Sequence, residues 1–150
     1  MFKQDLLELS FVQLKHFCSD NNLSRFRASQ IWSWIYCFGL KSFEDMNNIS
    51  KLSREFLNKI SLISRPEISE IQNSLDGTIK WLVKLKDNSE VETVYIPQDG
   101  RGTVCLSSQV GCTLNCSFCH TGTQALVRNL TSCEIIGQLM IVMDLSLIHI

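Results

Sequence analysis

Apolar residues recur at three- and four-residue intervals through the first part of the chain and at two-residue intervals through its middle, a pattern that predicts helices followed by strands. Ser10 with Gln13 forms a capping-box signature ahead of a helix that carries Phe11, Leu14 and Cys18 on one face. A second helix follows Ser24, with Ala28, Ile31, Trp32 and Ile35 at helical spacing and Gly39 just beyond its end. Ser42 and Ser50 look like two further caps, and the last helix aligns Leu52, Phe56 and Ile60 before Arg65-Pro66 breaks the pattern. Residues 1–66 therefore read as a small helical domain. Its aromatic stripe of Trp32, Trp34, Tyr36 and Phe38 is expected in the core, base stacking being the rarer use.

Beyond Pro66 the period changes to two. Ile79, Trp81, Val83 and Leu85 share a face in "TIKWLVKLK", "DNS" turns the chain and "EVETVYI" returns it, so residues 67–99 form a β-hairpin region. Asp76-Gly77 marks an earlier turn. Pro97 to Gly102 reads as a linker, and "TVCLSS" as a short strand. A polar loop over 110–130 leads to Thr131, which with Glu134 caps a helix bearing Ile135, Ile136, Leu139, Met140 and Met143. Residues 100–150 thus give strand, loop and helix, an α/β element that commonly carries its chemistry in the loop.

Composition narrows the possible functions. A chain with 45% hydrophobic and 19% charged residues is globular, neither disordered nor coiled coil. The net charge of −1 conceals nine Lys/Arg against six Asp/Glu in residues 1–66 and three against seven in 67–99. The N-terminal excess permits an RNA contact but hardly argues for one; Arg25, Arg27, Lys41 and Lys51 are candidates for phosphates, although solvated helix faces are the commoner explanation. Asp5 and Glu8 interrupt the apolar start that a signal peptide requires, and Leu139–Met143 falls far short of the roughly 18 residues of a membrane span. A cytoplasmic protein with no membrane attachment is expected.

The seven cysteines are an odd number, and three of them crowd into "GCTLNCSFCH". In a reducing compartment such crowding points to metal or redox chemistry. Cys112, Cys116 and Cys119 give CxxxCxxC, whose thiolates can each bind one iron of a cubic cluster and leave the fourth iron open. Zinc is the alternative; its ligands usually arrive as two separated pairs, and here the fourth would be the adjacent His120. That histidine is more simply read as solvent-facing or as a donor to the site.

The motif, with Phe118 before its last cysteine, resembles the signature of radical S-adenosylmethionine (SAM) enzymes, in which the open iron chelates SAM. The longer stretches "VETVYIP", "TVCLSSQVGCTLNCSFCHTGTQ" and "RNLTSCEIIGQ" resemble the dual-specificity RNA adenine-C2 methyltransferase family, and "RFRASQIWSWIY" is similar to that family's N-terminal accessory domain. The resemblance implies a [4Fe-4S] cluster held by Cys112, Cys116 and Cys119, with SAM as the second cofactor. It implies methylation of adenine C2 in 23S rRNA and tRNA through a methylated cysteine near the C-terminus and a covalent RNA adduct resolved by a disulfide. Adenine C2 is not nucleophilic, so a radical route is required. By position, Cys105 matches the family's resolving cysteine and Glu92 its proton acceptor. Without the resemblance, Cys105 would be a small buried hydrophobe and Glu92 an exposed hairpin glutamate. A flavodoxin or ferredoxin as electron donor and a monomeric state are implied as well. Cys18, Cys37 and Cys133 match no functional position and fit helix faces.

The expected fold is α/β, or α+β overall: helical accessory domain, β-hairpin, and the first strand-loop-helix of a partial (β/α)6 barrel. At about 30 residues per strand-helix-strand unit, the rest of such a barrel requires well over a hundred further residues. The methyl-carrying cysteine and the later SAM-binding segments are absent with it, and the ending "DLSLIHI" departs from the family, suggesting a truncated or misread gene. The fragment is expected to be inactive alone, with exposed apolar residues on its last helix. The related adenine-C8 methyltransferases and a non-catalytic zinc or RNA-binding module are the alternative functions.

Overall fold

The computed structural model describes residues 3–113 and 124–145. Two compact units divide the chain, Met1–Arg65 and Pro66–Ile150.

The first unit is built from α1 (Phe11–Asp20), α2 (Arg25–Tyr36) and α3 (Lys51–Ile60), with two short 3-10 turns, Leu6–Glu8 and Phe43–Asp45. Two-residue strands β1 (Gln4–Asp5) and β2 (Ser61–Leu62) pair in parallel and join its ends. The capping box of α1 is present in both directions: Gln13 N–H donates to Ser10 Oγ at 3.3 Å, and Ser10 N–H donates to Gln13 Oε1 at 2.8 Å. Leu14, Cys18, Ala28, Ile31 and Ile35 are fully buried, as their helical spacing predicts. Burial pushes the Cys18 thiol up, with Arg27 opposing weakly, so this cysteine is an inert packing residue.

Two readings of this unit need correction. The buried side chain of α3 is Leu57, whereas Leu52 is 79% exposed and Phe56 is also exposed. The inward stripe runs through Ser53, Leu57 and Ile60, and Ser61 just past the helix closes it by donating to the Leu57 carbonyl at 2.7 Å. A small polar residue at 53 and a capped serine at 61 thus define the packed side better than the more apolar spacing does. The aromatic stripe is likewise a rim and not the core: Trp32 and Tyr36 lie 4.1 Å apart by ring centroids on one side, Trp34 and Phe38 4.8 Å apart on the other, with Ile31 and Ile35 buried between. Trp34, partly exposed, donates its indole N–H to Asn48 Oδ1 at 2.6 Å.

The second unit is a four-stranded antiparallel sheet in the order β3 (Glu67–Asn73), β4 (Ile79–Lys84), β5 (Glu90–Gln98), β6 (Arg101–Cys105), followed by a two-stranded ladder of β7 (Gln109–Val110) and β8 (Arg128–Asn129) and by α4 (Ser132–Leu145). The hairpin β4–β5 is the one predicted, with Trp81, Val83 and Leu85 buried. Asn88 adopts φ 65° in its turn, where asparagine is tolerated. β3 escapes period-two reading because a bulge lies between Ile68 and Glu70. Ile68 then pairs with Val83 and Ile71 with Trp81, so two isoleucines three apart end on one face. The expected linker at 97–102 is a tight hairpin: Pro97 pairs with Gly102 and Gln98 with Arg101, and Gly100 takes φ 72° at the corner. Gly102 has to be glycine, since a Cβ there would run into the Tyr95 ring.

One face of the sheet is the core. Trp81, Val83, Leu85 and Val91 pack with Val110, Leu130, Ile141 and Val142. The last helix is therefore covered along Met140, Ile141 and Val142, while the expected apolar exposure is found in part: Ile135, Ile136, Leu139 and Met143 are partly exposed and Leu145 is half exposed. The described chain is a mixed α/β structure; β6 is the edge of an antiparallel sheet. Among the described residues no helix is long and apolar enough to cross a membrane.

Replacing Leu57 with alanine is expected to destabilise the helical unit by about 2–4 kcal/mol, whereas Leu52→Ala should stay within about 0.5 kcal/mol of wild type. Urea denaturation followed by tryptophan fluorescence measures both. Equal losses would return the inward face to Leu52.

Candidate functional site

The cysteine loop leaves the sheet after β6 and comes back at β8, and its base is closed by backbone pairing. Gln109 pairs with Asn129 and Val110 with Arg128. The Leu130 N–H donates to Ser108 O at 2.9 Å, Val127 N–H to Val110 O at 2.9 Å, and Cys112 N–H to Gln124 O at 3.1 Å. Gly111 sits inside this ladder at φ 75°, and a Cβ there would strike the Ala125 carbonyl. Only glycine fits, for both reasons.

Side chains lock the exit of the loop. Arg128 grips Glu134 with two parallel hydrogen bonds of 2.8 and 2.9 Å and reaches Asp87, in the β4–β5 turn, through Nε at 2.7 Å. Glu134 also completes the predicted capping box: Thr131 N–H donates to its Oε2 at 2.8 Å, and Glu134 N–H donates to Thr131 Oγ1 at 3.3 Å. The Arg128 guanidinium holds the Asp87 carboxyl down at about 2, from an ordinary 3.8, with the Ser89 amide adding to the effect. It is also the main reason that the Glu134 carboxyl lies below its usual range.

Helix α4 makes a second tie through Gln138, which is fully buried. Its Oε1 accepts from Thr93 Oγ1 at 2.8 Å and from Ser107 N–H at 2.9 Å, while Nε2 donates to Ser107 O at 2.9 Å and to Glu134 O at 3.3 Å. Ser107 in turn donates its hydroxyl to the Glu92 carbonyl at 2.7 Å.

Of the residues expected from sequence, Cys112 lies at the base of the loop, partly exposed, while Cys116, Cys119 and His120 fall outside the described residues. Among the described residues no three His, Cys, Asp or Glu side chains converge as a metal site. Cys105 ends β6 as an exposed thiol, not the buried hydrophobe of the alternative reading, and no disulfide joins the described cysteines. It stands opposite Val94, on the face of the sheet away from the core. Alternation puts Glu92 on that same face, exposed and bonded to Lys80 Nζ at 2.9 Å. The two candidate reactive residues thus share one open face, and Cys112 follows Cys105 by seven positions. Cys37 is exposed just past α2, away from any helix core, and Cys133 is half-buried near the start of α4. Sequence reading missed Arg128, Thr93, Ser107 and Gln138. The available signal was a lone glutamine within the apolar run "EIIGQLMIVM".

Proteins similar to this chain are known. Residues 4–63 match the ribosomal RNA large subunit methyltransferase N-terminal domain. A solved radical SAM methyltransferase from Sphaerobacter thermophilus superposes with a TM-score of 0.77 at 33% identity, covering 92% of this chain and 41% of that one. In fold the chain is similar to part of that radical SAM methyltransferase. In sequence it is similar to the N-terminal portion of proteins named dual-specificity RNA methyltransferase RlmN. It is 55% identical over 121 residues to the dual-specificity RNA methyltransferase RlmN of Cereibacter sphaeroides, covering 81% of this chain and 31% of that protein. The RlmN of Phenylobacterium zucineum is 54% identical over 122 residues, with 81% of this chain and 32% of that protein covered. The chain spans about a third of the length of these curated relatives.

Acid should open the loop exit. The Asp87 carboxyl lies below its unfolded value, so its contribution is complete above about pH 4 and is lost as the pH falls through about 2. Hydrogen exchange at the Val127 and Leu130 amides is expected to stay slow down to about pH 4 and to accelerate below it, with Glu134 shifting in the same sense. Exchange indifferent to this acid range would mean that Arg128 does not hold the loop. In Gly111→Ala, the same amides should lose protection at neutral pH.

Proposed function

We propose that the chain is the N-terminal portion of an RNA methyltransferase that uses radical SAM chemistry to methylate adenine C2 in 23S rRNA and tRNA, through a methyl-cysteine intermediate on a cysteine beyond this segment. The observation that carries the reading is a cysteine loop closed at its base shortly after Cys105 in the chain, with Cys105 and Glu92 together on one open sheet face. Names of relatives support it: proteins called dual-specificity RNA methyltransferase RlmN share more than half of the aligned residues.

A [4Fe-4S] cluster fits what is described of the loop. Cys112 is partly exposed, and its backbone is fixed by Gln124, which places one sulfur ligand candidate at the base of the loop. Cys112, Cys116 and Cys119 would hold the cluster. When bound with SAM, it supplies reductive cleavage to a carbon radical, the chemistry that an unreactive aromatic C–H demands. The chain's own residues do the rest. Glu92 accepts a proton from the methylated adenine, and its contact with Lys80 keeps the carboxylate oriented on the open face. Cys105, an exposed thiol, would attack the sulfur of the methyl-carrying cysteine: an S–S bond forms as the S–CH2 bond to the adenine breaks, and the released carbon keeps that bond's electron pair and takes up a proton to become the methyl group of the product. Arg25 and Lys41, both with exposed positions in the helical unit, supply contacts to RNA phosphates. A flavodoxin or ferredoxin donates electrons, and the protein works as a cytoplasmic monomer.

Anaerobic reconstitution of the chain is expected to yield about four irons and four sulfides, and Cys116→Ala to retain neither. One zinc and a colourless protein would instead assign a zinc or RNA-binding module. In a chain continued to the full length of its relatives, 2-methyladenosine is the product expected in digested 23S rRNA and tRNA; 8-methyladenosine would move the chain to the related C8 enzymes.

A further inference from the structure

The backbone between Cys105 and the cysteine loop, residues 106–108, belongs to no strand and would be free to drift if only chain connectivity held it. It is held at Ser107. The Gln138 amide meets that residue on both backbone groups, accepting from its N–H at 2.9 Å and donating to its carbonyl at 2.9 Å, in the manner of a paired strand. Its oxygen takes a second hydrogen bond from Thr93 Oγ1, itself fully buried and next in sequence to Glu92. The Ser107 hydroxyl closes the circuit on the Glu92 carbonyl.

A glutamine wholly removed from water within an apolar helix is costly unless every polar atom finds a partner, and here each does. Packing alone would be served as well by methionine or leucine, both of which match the neighbouring Leu139 and Met140. The polar choice therefore has a use beyond filling space. It ties three things that the chemistry must keep in register: the strand residue beside Glu92, the segment two residues past Cys105, and the helix that follows the cysteine loop.

We infer that Gln138 is a positioning residue whose buried amide fixes the backbone at Ser107, and through it the placement of Cys105 and Glu92 relative to the cysteine loop. The inference rests on the proposed function only in taking Cys105 and Glu92 as the reacting groups. Gln138 itself touches no reacting atom.

Amide hydrogen exchange on the metal-free chain, read residue by residue, tests it. In Gln138→Met the Ser107 amide is expected to exchange at least about tenfold faster, with smaller increases at Cys105 and Val94, while the amides of β3, two strands away from Thr93, keep wild-type rates. Gln138→Glu adds a pH signature. A protonated carboxyl there can donate to the Ser107 carbonyl as the amide does, whereas the buried carboxylate cannot. Glu134, the acidic group one turn away on the same helix, stays charged on Arg128 across this range. Ser107 protection, corrected for intrinsic exchange, should approach wild type at about pH 5 and fall away at about pH 8. Should either substitution prove too disruptive to fold, Thr93→Val removes a single donor without changing volume and is expected to raise Ser107 exchange about twofold or more. Unchanged Ser107 exchange in Gln138→Met, or a uniform rise across all strands, would overturn the inference and leave Gln138 an ordinary core residue. Absence of iron in the reconstituted wild-type chain would instead remove the proposed function while these exchange rates stood.

Discussion

Three thiols can meet one inorganic cluster only if the loop that carries them is closed at its base. Closing about a dozen residues costs about 2 kcal/mol in its length-dependent entropy alone, before any ligand contributes. Against this stand the backbone hydrogen bonds from Leu130, Val127 and Cys112, each worth about 1 kcal/mol net, and a core contact through Val110 and Leu130. The two terms are of similar size. The pairing of β7 with β8 therefore does not need metal to form, and it depends on neighbours that keep it dry and aligned. Arg128 and Gln138 are those neighbours: one ties the loop exit to the hairpin turn, and the other ties its entry to the helix.

Local rules were legible in the sequence wherever a residue acts on its own surroundings. Ser10 with Gln13 and Thr131 with Glu134 cap the helices as written, and Asp87-Asn88-Ser89 turns the hairpin. Reading failed where a second element decides the matter. Leu52 and Phe56 outweigh Leu57 in apolar count, yet tertiary packing selects the face that Ser53 and Ser61 flank. A bulge next to Ile68 shifts the alternation of β3 by one residue, which no period-two template detects. Pro97 and Gly102 suggest a linker by type, but strand pairing across Asp99-Gly100 makes them partners.

The candidate site divides the same way. CxxxCxxC is local and visible, because ligand spacing is written along one loop. The ties that hold the loop are not. Arg128 and Asp87 lie 41 positions apart, Gln138 and Thr93 45. Nothing in either residue names its partner. What the sequence does offer is a misfit, a glutamine amid Ile, Leu, Met and Val, and such a misfit predicts a buried polar partner without saying where it is.

The two faces of the β3–β6 sheet have separate tasks, and the distribution of charge follows from that. One face is filled by Trp81, Val83 and Val91 against Ile141 and Val142. The other carries Lys80, Glu92 and Cys105, so any chemistry these residues perform must be reached from the open side. An ion pair this exposed contributes less than about 1 kcal/mol. A pair this weak leaves both side chains accessible to whatever meets this face. The Gln138 support can be rigid because it lies on the covered face with Thr93, while Lys80, Glu92 and Cys105 lie on the open one, and the Ser107–Gln138 contact is where the two meet.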